Sequence, residues 1–199
     1  MNNALKDARL WSPQCFALSP IETVHENPWF TVRNRGGYFT AEYNHLQVSV
    51  LPIVAQRAIL MVRPDRPLLA DCPLELPSGG VNRNESPLQG ARRELAEETG
   101  VHIPNLERFR PLPPMSTAPN RDPRLLHVFQ VEITQEEFDG RQEHDQEITR
   151  LELLRFEELV DLLTAGQIYV TVPVALISRY LLAIYAQAPA TDSHRGGWE

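Results

Sequence analysis

Apolar and polar positions fall in blocks along this chain, and the period of the blocks changes. Residues 29–33 and Tyr38–Tyr43 are β-prone runs on either side of Asn34-Arg35-Gly36-Gly37, the composition of a hairpin turn. Gln47–Val54 and residues 58–63 are two nearly continuous apolar runs around a short polar connection, which predicts two more strands. Pro52 predicts that the first of these lies at a sheet edge or is bulged, because proline donates no ladder bond. A proline-rich loop (Pro64, Pro67, Pro73) leads to a short strand over Leu74-Glu75-Leu76. Further on, residues 106–112 predict a strand ending at Pro113-Pro114, residues 115–123 a loop, and residues 125–133 a clear strand. Residues 134–147 are polar and acidic. A strand over 148–154, a short helix over 156–163 and a longer helix over 171–187 follow, the last carrying Val174, Leu176, Ile177, Leu181, Leu182 and Ile184. Residues 1 to about 25 show no period, and Trp11, Pro13 and Pro20 argue against one continuous helix there. The last dozen residues read as frayed.

Between these blocks lies residues 79–101, GGVNRNESPLQGARRELAEETGV. Ser86 reads as a helix N-cap, Pro87 as the first helical residue, Gln89 as the partner of a capping box and Gly100 as the stop. Leu88, Ala91 and Leu95 form an apolar stripe at i, i+3 and i+7 that packs inward. Gly90, at about 1 kcal/mol less favourable than alanine in a helix, predicts a close backbone approach. Glu94, Glu97 and Glu98 share one helical face, where like charges repel by about 0.2–0.5 kcal/mol per pair. A hard divalent cation would relieve that repulsion. A solvated acidic face is the other reading of the same spacing.

Composition narrows the possibilities. The chain has 199 residues, 42% of them hydrophobic, and a formal net charge of −7. This suits one well-buried domain with a short appendage and argues against bulk nucleic acid as a partner, since phosphate neutralisation needs a basic surface. Cys15 and Cys72 form neither a disulfide framework nor a ligand pair, and the six histidines have no ligand spacing. No basic leader and no apolar stretch of 18 residues is present, so no membrane contact and a cytoplasmic location are expected.

Gly79, then Glu85 after five residues, then Arg93-Glu94-Leu95-Ala96-Glu97-Glu98-Thr99-Gly100-Val101 after seven more, resembles the complete Nudix box of the Nudix hydrolases. Strands mixed with a few helices around this segment already indicate an α/β protein. The resemblance implies a Nudix-type α/β/α sandwich with a mixed sheet over residues 46–187, an N-terminal β-hairpin extension over 1–45 that dimerises, and a flexible tail over 188–199. It further implies hydrolysis of a nucleoside diphosphate derivative with Mg²⁺, or Mn²⁺. Glu94 and Glu98, joined by the Ser78 carbonyl, would be metal ligands, and Glu97 a ligand or the partner of a metal-bound water. Arg93 would hold Glu85 or Glu97 in place, or simply tether the loop.

Outside the box, Arg66-Pro67 followed by Glu75-Leu76-Pro77-Ser78-Gly79 is similar to the ADP-ribose pyrophosphatase branch, with Ser78 in place of the usual alanine. Pro119 stands in the loop where that branch carries a proline, and Ala165-Gly166-Gln167-Ile168 resembles its C-terminal part. Asn27-Pro28-Trp29 resembles the hairpin that exchanges between its subunits, where an aromatic ring stacks on adenine. The resemblance thus implies a homodimer acting on a nucleotide-sugar, with Arg66, Glu75, Trp29 and Pro119 at the substrate. Each also has a plainer reading: a surface ion pair for Arg66, core or interface for Trp29, loop formation for Pro119. Glu143, Asp145 and Glu147 are the candidates for the general base, in that order, in a stretch that also reads as a solvated acidic loop. The expected reaction is ADP-ribose plus water to AMP plus ribose 5-phosphate. Other nucleoside diphosphate-sugars, NADH, dinucleoside polyphosphates and a non-catalytic nucleotide sensor are the alternatives.

Overall fold

The structure, a computed structural model, describes residues 3–187, so the expected tail over 188–199 lies outside the described residues. After two short 3₁₀ turns the chain forms β1 (Ile21–Glu26), β2 (Phe30–Arg35) and β3 (Tyr38–Tyr43), a separate antiparallel sheet in that order. The expected hairpin is therefore part of a three-stranded sheet. Its turn is two residues long, Gly36 and Gly37 at φ 56° and 95°, a conformation glycine adopts without strain. β1 carries no buried residue, which is why no apolar alternation announces it. The small sheet is fastened by an ion pair: Arg35 donates from Nε and Nη2 to the two carboxylate oxygens of Glu42 at 2.7 and 2.9 Å, and Thr40 Oγ1 donates to Glu42 at 2.6 Å.

The main sheet contains β4 (Gln47–Val54), β5 (Ala58–Pro64), β6 (Ser78–Gly80), β7 (Arg110–Met115), β8 (Leu126–Ile133) and β9 (Ile148–Arg155). Its order is β7-β8-β4-β5-β9, with β6 pairing the first half of β4. β4 and β8 run parallel and the remaining pairs antiparallel, so the sheet is mixed. Helix α1 (Pro87–Thr99) covers one face; α3 (Phe156–Thr164) and α4 (Thr171–Gln187) cover the other. Val48, Val50, Leu60, Phe129 and Val131 point to the α1 side, where Ala91 and Leu95 meet them. Leu51, Ile53, Ile59, Met61 and Val128 point to the α3/α4 side with Leu159, Leu176 and Ile177. A strand buried on both faces reads as continuous apolar sequence, and this accounts for the runs of β4 and β5. The result is the expected α/β/α sandwich.

Several local expectations change. Pro52 is not at an edge, since β4 is flanked by β8 on one side and by β6 and β5 on the other. Val50 N–H donates across to the Pro77 carbonyl, so by strand alternation the Pro52 nitrogen faces the same side, in the gap between the register of β6 (47–49) and that of β5 (53–54). No ladder bond is missing. The strand expected over 74–76 is a single bridge in which Val62 and Glu75 exchange both backbone bonds, and the true strand is β6. β7 begins later than expected, after a 3₁₀ turn at Leu106–Arg108, and runs through Pro113 and Pro114; as the outermost strand it tolerates them. The acidic stretch contains α2 (Gln135–Asp139), opened by a Thr134/Glu137 capping box that the sequence carried unread.

Arg108 ties the turn before β7 to α2, donating to both oxygens of Glu137 and holding that carboxyl at about 2. An acid with a depressed native pKa adds stability above its unfolded value and loses it as pH falls through the native one. The Arg108–Glu137 pair should therefore contribute about 1 kcal/mol at pH 6, discounted for its partial exposure, and lose it between pH 4.5 and 2. Urea unfolding of the parent and Glu137→Gln at both ends of that range checks this: the two should differ at pH 6 and converge near pH 2.

Candidate functional site

Helix α1 starts as expected. Ser86 Oγ accepts from Gln89 N–H and Gln89 Oε1 accepts from Ser86 N–H, at 3.2 and 2.8 Å. Gly100 ends it at φ 71°. A Cβ on Gly100 would also fall 2.0 Å from the Gln142 carbonyl oxygen, so the position excludes any side chain on grounds of space as well. At Gly90 a Cβ would stand 3.2 Å from Val81 Cγ2 and 3.6 Å from its Cα, so the close neighbour is a side chain and the backbone lies at ordinary contact distance. The helix is thus drawn close to the loop that carries Glu85.

Arg93 is the hub of the acidic face. Its Nε lies 3.0 and 3.1 Å from the two oxygens of Glu85. Nη1 donates to Glu94 Oε1 at 2.9 Å and to Glu97 Oε2 at 2.7 Å, and Nη2 donates to the Gly80 carbonyl at 2.6 Å. Where the sequence left a choice between Glu85 and Glu97, the guanidinium holds both and Glu94 besides. Burial alone would raise the Glu85 carboxyl, but the bonds from Arg93 and Asn82 N–H outweigh it and keep it low. Those same carboxylates hold the Arg93 guanidinium well above its ordinary range against the effect of burial.

The remaining acids are less well compensated. Glu94 is 8% exposed and packs against Gly79, where a Cβ would come within 2.3 Å of its carboxylate. Desolvation, and the neighbouring Glu97 and Glu85, raise it more than Arg93 lowers it. Glu98 is pushed up to about 8, chiefly by burial and also by Glu94 and Glu75, with Ser78 N–H donating to it at 3.2 Å in opposition. Two clustered, poorly neutralised carboxylates with the backbone of β6 beside them form an oxygen-rich donor set suited to a hard divalent cation. As the side chains stand, no three acidic, histidine or cysteine groups among the described residues form a ready ion cage; Glu85, Glu94 and Glu97 are turned toward Arg93.

Beside this helix a cleft of about 450 Å³ opens on the α3/α4 side of the sheet. Arg66 and Glu75 line it, joined by two bonds of 2.9 Å from Nε and Nη2 of the guanidinium. The Val62–Glu75 bridge sets Glu75 next to β5, and the bridge Arg66–Asp71 closes the intervening loop, so the pair is positioned by backbone at both ends. Ser78 and Gly79 form the cleft's border with the acidic helix.

The other anticipated residues are scattered. Trp29 is 71% exposed on the small sheet and does not line the cleft, although its carbonyl accepts from Asn44 N–H near the mouth. Pro119 is exposed in a turn and also off the cleft wall. Glu143, Asp145 and Glu147 are exposed in a loop fastened to the end of α1: Gln142 N–H donates to the Gly100 carbonyl and Asp145 N–H to the Glu97 carbonyl. Asp145 Oδ1 accepts from Glu147 N–H, and Glu147 acts electrostatically on Arg66, which brings it nearest to the cleft. Sequence reasoning missed Ser49, Asp122 and Arg124, all on the cleft wall. For Ser49 a signal existed, a lone hydroxyl inside the apolar run of β4; for the loop residues none did.

The family model of the NUDIX domain matches residues 43–172. Among curated proteins, the chain is 27% identical over 122 residues to a protein of Bacillus subtilis (strain 168) named ADP-ribose pyrophosphatase, covering 61% of this chain and 64% of that one. It is 32% identical over 82 residues to the methanol dehydrogenase activator of Bacillus methanolicus, 41% of this chain and 43% of the other. A 27-residue stretch, 14% of this chain, is 63% identical to an RNA pyrophosphohydrolase of Bartonella henselae (strain ATCC 49882 / DSM 28221 / CCUG 30454 / Houston 1), covering 16% of it. The chain spans less than two thirds of the length of each of these relatives.

Removing the hub should leave several carboxylates crowded without a cation. Arg93→Ala is expected to cost about 2–3 kcal/mol in urea unfolding at pH 7, reduced from the value for fully buried pairs by the exposure of Glu97. A loss below about 0.5 kcal/mol would mean that solvent already satisfies these acids.

Proposed function

The chain belongs to the NUDIX domain family, and from that membership we propose that it is a pyrophosphohydrolase of ADP-sugars, converting ADP-ribose and water to AMP and ribose 5-phosphate. The observation that carries the reading is the Arg66–Glu75 fork set in the cleft beside Ser78 and Gly79 of β6, within reach of the acidic helix. The similarity to the Bacillus subtilis ADP-ribose pyrophosphatase supports the same substrate. Two of the guanidinium nitrogens of Arg66 are engaged by Glu75, and Nη1 is left for a phosphate oxygen.

Glu94, Glu98, the Ser78 carbonyl and Glu97 would hold Mg²⁺ or Mn²⁺, which when bound screens phosphate charge and acidifies an attacking water. Gly79 keeps the space for the Glu94 carboxylate free of a side chain. Arg93 fixes Glu85 and the loop through Gly80, and its bonds to Glu94 and Glu97 would have to give way where those carboxylates hold a metal. Of the loop acids, Glu147 has the best position to take the proton of the attacking water, because it acts on Arg66; Asp145 is engaged by the Glu147 backbone. This reverses the order read from sequence, where Glu143 stood first.

The N-terminal sheet is proposed as the contact of a homodimer. Ile21, Val24, Trp29, Tyr38, Phe39 and Tyr43 are all exposed on its three strands and their connections, more apolar surface than an isolated small sheet ordinarily leaves to water. Among the described residues no helix is long and apolar enough to cross a membrane. A cytoplasmic site of action fits the two free cysteines.

Purified protein with ADP-ribose and Mg²⁺ should release AMP and ribose 5-phosphate in equal amounts. Turnover of NADH or another nucleoside diphosphate-sugar in its place would move the substrate assignment, and binding without turnover would favour a sensor. Glu98→Gln should reduce kcat by about a thousandfold with an unchanged melting temperature in EDTA, and near-normal activity would remove Glu98 from the metal site. Analytical ultracentrifugation should give a dimer mass that Val24→Glu/Phe39→Glu reduces to a monomer.

A further inference from the structure

The cleft carries ionisable groups at two places along its wall. Arg66 stands at the end next to the acidic helix, whereas Asp122 lines the wall supplied by the loop after β7. The Asp122 carboxylate accepts from Arg124 N–H at 3.1 Å, and no side chain among the described residues donates to it. Arg124 is near enough to act on it, but its Nη2 is bonded to the Tyr43 carbonyl. Glu42 acts on Asp122 from β3 in the opposite sense to Arg124, although its own carboxylate is paired with Arg35. Burial is the main influence on Asp122 and raises its carboxyl above the usual range. Ser49, 0% exposed, lines the same cleft, and its Oγ has no hydrogen-bond partner among the described residues. A buried hydroxyl without a partner costs about 1–3 kcal/mol, and here a ligand in the cleft would supply the partner.

We propose that Asp122 and Ser49 recognise an uncharged, hydroxyl-bearing group beyond the diphosphate and thereby select nucleoside diphosphate-sugars over nucleoside triphosphates. The inference rests on the reading of this cleft as the nucleotide site. A sugar presents hydroxyls that donate to a carboxylate and exchange bonds with a serine hydroxyl. A terminal phosphate offers only acceptors and negative charge, so it can donate nothing to the Asp122 carboxylate and meets its charge instead. Sites that pair buried polar groups with substrate hydroxyls reject analogues lacking those hydroxyls strongly, because the protein groups are then left unpaired.

The test is titration calorimetry with Mg²⁺ and two ligands resistant to hydrolysis, α,β-methylene ADP-ribose and α,β-methylene ATP. The parent should bind the sugar analogue at least about tenfold more tightly. Asp122→Asn, which keeps the shape and removes the charge, should shrink that preference below about threefold, partly by strengthening the ATP analogue. Ser49→Ala should weaken the sugar analogue about fivefold while leaving the melting temperature unchanged or raised, since the lost hydroxyl has no partner in the free protein. A parent that prefers the ATP analogue or binds neither, or variants that leave the preference intact, overturns the proposal. A parent with the stated preference that hydrolyses another nucleoside diphosphate-sugar and not ADP-ribose refutes the substrate named above and leaves this selection rule standing.

Discussion

Five hydrogen-bond contacts from one guanidinium organise the acidic segment of this protein. Arg93 reaches backward to Glu85, sideways to Glu94, forward to Glu97 and across to the Gly80 carbonyl. Without it the loop carrying Glu85 and the last turns of α1 would present four carboxylates to one another with little to compensate them. The planar fork of arginine suits this task; a lysine ammonium would meet one or two of the partners at a time. The arrangement also separates two populations of acids. Glu85 is held low by its bonds, while Glu94 and Glu98 are raised by burial and mutual repulsion. Charged groups of the second kind are costly in the free protein, and a cation is the chemically simplest group to relieve them.

The sheet places the second half of the site. β4 is shared: its first residues pair with β6, which delivers Ser78 and Gly79, and its last residues pair with β5, which leads to Arg66. The Val62–Glu75 bridge then returns the chain to β5, so that Glu75 meets Arg66. Each wall of the cleft is therefore referred to the same central strand. Side-chain parity along β4 does the rest. Val48 and Val50 enter the core under α1, and Ser49 between them points to the opposite face of the sheet and lines the cleft.

Where the sequence was legible, one local rule sufficed. The capping box, the glycine stop and the apolar stripe of α1 are all short-range, and the helix formed as expected from Ser86 to Gly100. The two-face burial of β4 and β5 was equally plain in their composition. What failed needed information from elsewhere in the chain. Pro52 breaks a rule for interior strands, but a change of partner along one side of β4 makes its missing donor harmless. β1 buries nothing and so has no period to read. Asp122 and Arg124 gain their place only because the loop after β7 closes over the cleft, a relation that residue spacing does not encode.

The fastening of the acidic loop bears on time as well as on position. Gln142 is bonded to the Gly100 carbonyl and Asp145 to the Glu97 carbonyl, so only Glu143 and His144 span the interval between two anchors on one helix end. A segment that short has few backbone torsions to spend. Glu147, the proposed base, lies just beyond the second anchor with its own N–H bonded to Asp145 Oδ1, so bringing its carboxylate toward a substrate would be a matter of side-chain rotamers and a small peptide adjustment, motions of picoseconds to nanoseconds, and not the microsecond-to-millisecond swing of a lid. Proton removal by the proposed base would then not wait on the closing of a lid.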